Sequence, residues 1–159
     1  PRALENPADY DARAQVMWAS TIAHNDVLST GRTPDWGTHN IEHEISAIYD
    51  VAHGAGLAVV FPAWMTYVCR ENLNRFVRFA LSVWNVEMDV EEPERTARAG
   101  IERCRDFFRS MGLPVTLGEL NVPSDRLEEM AAKAVQFGPL GQFRKLREKD
   151  VLEILKLAR

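Results

Sequence analysis

Apolar residues recur at helical intervals along nearly the whole chain, and no alternation of apolar and polar positions persists long enough to make a strand. Over residues 7–28, Ala14, Met17, Trp18, Thr21 and His24 fall on one stripe while Asp9, Gln15 and Asp26 face the other way. That spacing predicts a helix of about six turns. Residues 29–37 gather Gly31, Pro34, Asp35 and Gly37 and predict a loop, with Trp36 folded back over the next helix. Ile41, Ile45, Ile48 and Tyr49 then mark a helix over 38–49, and turn-forming residues bracket 50–56. Residues 57–68 are apolar nearly all round, which predicts a helix buried on most faces at the domain centre and bent at Pro62.

The second half continues in the same period. Leu73, Phe76, Val77, Ala80, Val83 and Trp84 make a helical face within 71–86. An acidic turn at 90–93 leads to a helix over 94–111 carrying Ala97, Ile101, Cys104 and Phe108. Gly112, Pro114 and Gly118 predict a connector up to residue 122, and Ser124 is placed to cap a helix over 125–135. Gly138 and Gly141 mark a loop before a last helix at 148–157. There is no internal repeat, and the fold class expected is all-α, one domain over residues 1–159.

Composition narrows the function classes. With 46% hydrophobic residues the chain can bury a sizeable core. A net charge of −4, with Lys and Arg scattered among Asp and Glu, argues against a nucleic-acid partner. Cys69 and Cys104 are far apart and outside any CxxC pattern, as expected of two reduced thiols in a cytoplasmic protein. The most apolar run, 57–69, is too short to span a bilayer, and no secretory signal opens the chain. The chain opens at Pro1 without an initiator Met and reads as a fragment of a longer protein.

Chemistry concentrates in the histidines. Of four, His39, His43 and His53 fall within fifteen residues, and His24 stands apart. His39 and His43, four apart, project from one helix face about 40° apart around the axis, the spacing of a bidentate metal pair. His39 and His53 are fourteen apart, about 21 Å along a continuous helix, so they can share an ion only if the chain turns back between them. Asp50, Gly54 and Gly56 allow such a turn. Asp35 and His39 form an Asp-x-x-x-His, but Pro34 and Gly37 make that segment a loop.

The run from Thr38 to Trp64, THNIEHEISAIYDVAHGAGLAVVFPAW, resembles the signature of iron-containing (group III) alcohol dehydrogenases of the butanol dehydrogenase and aldehyde reductase branch. The stretches 111–120 and 150–155 resemble the same family, so the likeness spans almost the whole chain. The resemblance implies the C-terminal helical domain of a two-domain enzyme that moves hydride between NAD(P)H and a small alcohol or aldehyde. It implies one divalent ion, Fe²⁺ or Zn²⁺, held by an Asp and three His, of which His39 and His53 match the last two. His43 matches a residue beside substrate and nicotinamide and takes a catalytic, proton-relaying role. Spacing alone nominates His39 with His43; the longer motif favours His39 with His53. The resemblance further implies a homodimer. It also implies that the first two ligands and the nucleotide-binding α/β half lie upstream, so that this piece alone is inactive. Asp50 is open to two readings, orienting an imidazole or ending a helix, and Trp36, Phe61 and Trp64 to two more, pocket wall or core. Two other functions compete: a stand-alone helical interaction domain with incidental histidines, and a metal-storage bundle that also uses His24.

Overall fold

Eight α-helices account for the hydrophobic periods in a computed structural model that describes residues 1–159, and the one strand-like feature is a single bridge between Leu140 and Leu146. The all-α expectation holds. The chain divides into two compact units, Pro1–Pro34 and Asp35–Arg159.

The first unit carries α1 (Arg2–Glu5) and α2 (Tyr10–His24). Asp9 caps α2, accepting from the Ala12 N–H at 3.0 Å and from the Arg2 guanidinium at 2.7 Å. The helix stops short of residue 28 because Asp26 adopts a left-handed φ of 64° and starts a separate 3-10 turn, Val27–Ser29. Ala12 is the one buried residue of α2. Met17 (67% exposed) and Trp18 (65% exposed) of the expected apolar stripe lie open.

The second unit holds α3 (Gly37–Tyr49), α4 (His53–Val68), α5 (Leu73–Trp84), α6 (Pro93–Ser110), α7 (Leu127–Ala134) and α8 (Glu148–Leu157). Helix α4 packs on α3, α6 and α8, which makes it the centre of this unit; α7 bridges α3 and α8, and α5 lies along α6. Ile41 and Ile45 of α3, Val59 and Val60 of α4, Ile101 of α6, Met130 of α7 and Ile154 of α8 meet in one core. Each buried aliphatic side chain there contributes about 1.5–3 kcal/mol of transfer free energy. Gly100 lets α6 approach α5 closely, since a Cβ there would fall 2.7 Å from the Ala80 Cα.

Two local expectations need correction. Gly54 and Gly56 do not form a turn but lie in the first turn of α4, which starts at His53 behind an extended Ala52. Ser124 makes no cap; it begins a 3-10 turn, Ser124–Arg126, and α7 starts only at Leu127. Pro62 lies inside α4, as expected.

Helix α8 is tied to α4 by a buried acid. Asp150 accepts from the Tyr67 hydroxyl at 2.6 Å, the Arg147 N–H at 2.8 Å and the Arg144 guanidinium at 3.1 Å. Burial works to raise the Asp150 carboxyl, but the Tyr67 hydroxyl, the Arg147 N–H and the Arg144 charge outweigh it and hold the group below its usual range. Burial, together with the bond to Asp150, pushes the Tyr67 hydroxyl up to about 12. Cys69 and Cys104 are both free and buried, and burial pushes the Cys104 thiol up to about 11, which suppresses thiolate chemistry. No helix is long and apolar enough to cross a membrane.

Candidate metal centre

Helix α3 is anchored at its start by Asp35. One carboxylate oxygen accepts from the Gly37 N–H and the other from the N–H groups of Gln142 and Phe143, each at 2.7 Å. The bonds fasten the entry of α3 to the loop in which Gly141 takes a φ of 79°. With both oxygens engaged on backbone, Asp35 is a structural clasp, and its four-residue spacing from His39 has no bearing on a ligand pair.

Helix α3 ends at Asp50, whose φ of 51° and N–H bond to the Ser46 carbonyl close the last turn. Asp50 is exposed and acts as a helix terminator. Val51 and Ala52 carry the chain round, and α4 begins at His53. The reversal brings the His53 ring against both histidines of α3. Its centroid lies 5.3 Å from that of His39 and 5.2 Å from that of His43. The long-range pair favoured by the motif and the adjacent pair favoured by spacing therefore occupy one cluster. Trp36 stands edge-on to His39 at 4.8 Å, on the first turn of the helix it was expected to cover. His24 closes α2 and is exposed.

A fourth residue belongs to the cluster and is not apparent from histidine spacing. Glu42 of α3 is fully buried; it accepts from the Ser46 hydroxyl at 2.6 Å and its other oxygen is paired with His53 Nδ1. Gly56, one turn beyond His53, makes room for it: a Cβ at position 56 would stand 2.7 Å from Glu42 Cγ and 2.9 Å from Cδ. The sequence does carry a signal, an acid set on the same helical face as Ile45 and Tyr49, where a solvated side chain is out of place.

One possible ligand atom from each of Glu42, His43 and His53 lies within 4.8 Å of the others, a grouping that shares only His53 with the pair the motif favours. Imidazole nitrogens backed by a carboxylate are a donor set that Zn²⁺ and Fe²⁺ accept, so the residues gathered here fit a divalent ion.

Two hollows flank the histidines. One of about 380 Å³ is lined by Asp35, Thr38, His39, Gly54, Leu57, Ala58, Phe61, Phe108 and Leu113. The other, about 300 Å³, has His43 in its wall together with Asn40, Glu44, Lys133, Phe137 and Pro139. Phe61 is thus a wall residue. Trp64 is core, stacked on Phe61 at 6.0 Å and edge-on to Phe143 at 5.8 Å.

Comparison with known proteins identifies the family of the chain. The chain is 42% identical over 157 residues to NADH-dependent butanol dehydrogenase A of Clostridium acetobutylicum, covering 97% of this chain and 40% of that protein. It is 33% identical over 138 residues to the NADPH-dependent aldehyde reductase YqhD of Escherichia coli, covering 87% of this chain and 35% of that one. The crystal structure of NADH-dependent butanol dehydrogenase A from Thermotoga maritima superposes with a TM-score of 0.91 at 40% identity, over 99% of this chain and 41% of that one. The chain thus spans about two fifths of the length of these relatives. The model of the C-terminal region of the Fe-containing alcohol dehydrogenase family matches residues 1–159, and the chain belongs to that family.

Proposed function

We propose that these residues are the metal-carrying helical domain of an NAD(P)H-linked alcohol dehydrogenase or aldehyde reductase of the butanol dehydrogenase kind, with His39 and His53 as metal ligands and His43 as the proton-relaying residue. The observation that carries the reading is the approach of His53 to His39 across the reversal at Asp50, two imidazoles fourteen residues apart with ring centroids 5.3 Å apart. The names of the relatives, NADH-dependent butanol dehydrogenases and an NADPH-dependent aldehyde reductase, support the reaction class.

When bound, a divalent ion supplies Lewis acidity toward the carbonyl or hydroxyl oxygen, and the nicotinamide supplies or accepts hydride. The chain's own residues do the rest. His39 and His53 hold the centre at the junction of α3 and α4, rigid elements locked by Ile41, Ile45, Val59 and Val60. Leu57, Ala58 and Phe61, lining the hollow beside His39, exclude water and fit a short aliphatic chain. His43 is exposed beside His53 and takes the alcohol proton to solvent in oxidation, returning it in reduction. Two further ligands and the nucleotide site are assigned to the remainder of the full-length protein, so the 159-residue chain by itself is expected to bind metal weakly and turn over no substrate.

The test is NAD(P)H oxidation by the full-length protein with butanal as probe. Chelation should abolish turnover and Zn²⁺ or Fe²⁺ should restore it. His43→Ala should retain the metal but turn over roughly 100-fold more slowly, the contribution of a positioned acid–base group. Full activity in the metal-free protein would refute the reading, as would turnover by the isolated chain.

A further inference from the structure

Resting on the metal reading above, we infer that Glu42 is the positioning residue of the site: it fixes the tautomer and ring angle of His53, through a contact that the missing side chain of Gly56 makes room for. Four residues form this unit, Glu42 and Ser46 on α3, His53 and Gly56 on α4.

The first strand of the argument is occupancy. Glu42 Oε1 accepts from the Ser46 hydroxyl at 2.6 Å, and Oε2 is paired with His53 Nδ1. A carboxylate can accept but not donate, so in this pair the imidazole Nδ1 carries the hydrogen and the lone pair available to an ion is on Nε2. The second strand is depth. The Glu42 side chain is 0% exposed and that of His53 45%, so the acid lies behind the ring on the protein side while the ring's free edge is reachable. That arrangement makes Glu42 a poor direct ligand and a good backstop.

The third strand is the fit of the cradle. Gly56 follows His53 by three residues and so lies on the same face of α4, beneath the imidazole. Any Cβ there would displace Glu42, yet Gly56 has no left-handed φ that would call for glycine on conformational grounds. Its value is the volume it leaves to the carboxylate. Ser46, one turn after Glu42, then holds the acid in the single rotamer that faces His53.

Zinc affinity of the full-length protein, measured by chelator competition, together with the Tm of the metal-free form, separates this role from packing. Glu42→Ala should weaken zinc binding about 10–100-fold, the usual loss when the partner of a ligating imidazole is removed. Glu42→Gln keeps the shape and one acceptor oxygen and should cost less than that but more than about twofold. Gly56→Ala should lower both Tm and affinity by driving Glu42 out. In the double variant Glu42→Ala/Gly56→Ala the clash is gone, so Tm should return toward that of Glu42→Ala alone while affinity stays low. Affinity in Glu42→Ala and Glu42→Gln within about twofold of wild type would overturn the inference, and so would recovery of affinity alongside Tm in the double variant. A wild-type protein that binds no zinc or iron would instead overturn the metal reading itself, and this inference with it.

Discussion

Glu42 and Asp150 are both acids buried where helices pack on α4, the first from α3 and the second from α8, and their surroundings differ in one respect. Around Asp150 every partner is a donor, a phenol, a guanidinium and a backbone N–H, and the guanidinium of Arg144 is itself closed by a second carboxylate, Glu71. Around Glu42 one partner is an imidazole, which passes the interaction on to a second nitrogen beside two more histidines. A buried acid alone therefore does not nominate a site. What separates a structural clasp from a functional one is whether the chain of partners closes within the protein or ends on a lone pair that a ligand can reach.

The comparison can be broken from either side. The largest effect is expected on the histidine side: His39→Ala should weaken zinc binding of the full-length protein roughly a hundred- to a thousandfold, about a quarter of the binding free energy of a four-ligand site, with little change in metal-free Tm. Asp150→Ala should do the reverse. By denaturant unfolding it should cost about 3 kcal/mol, because it leaves buried donors without an acceptor, and zinc affinity should not move.

Asp150 also sets an acid limb. Its folded pKa is depressed, so its contribution to stability is fully present above the ordinary carboxylate value of 3.8 and is lost as pH falls through the folded value. Stability of the wild type measured below pH 3.8 should fall more steeply than that of Asp150→Ala. Smaller again, Tyr67→Phe should cost about 1 kcal/mol, one hydrogen bond, by the same unfolding measurement. Smallest of all, Trp18→Ala on the open face of α2 should change the unfolding free energy of the 159-residue chain by no more than about 0.5 kcal/mol.

Much of this was legible from residue pattern. Helix α8 spans Glu148–Leu157, as its period predicts, and Ile41 and Ile45 face the core from α3. The turn-back between His39 and His53 follows from a helix-ending residue at Asp50 and a second apolar run close behind it. What escaped is tertiary in origin. Gly54 and Gly56 read as turn residues because glycine breaks helices in isolation, whereas Gly56 sits inside α4 to accommodate an acid from another helix. Glu42 escaped for the complementary reason: its importance depends on His53 and Gly56, eleven and fourteen residues away, and no local period connects them. The stripe on α2 was legible as apolar but not as exposed, since periodicity marks a face without saying what covers it.

The most direct measurement is a crystal structure of the zinc-loaded full-length protein, with the ion located by anomalous scattering at the zinc edge. The expected result is one ion about 2.0–2.1 Å from Nε2 of both His39 and His53, with Glu42 still bonded to His53 Nδ1 behind the ring. An ion bound elsewhere, or held by only one of those two imidazoles, would contradict the assignment.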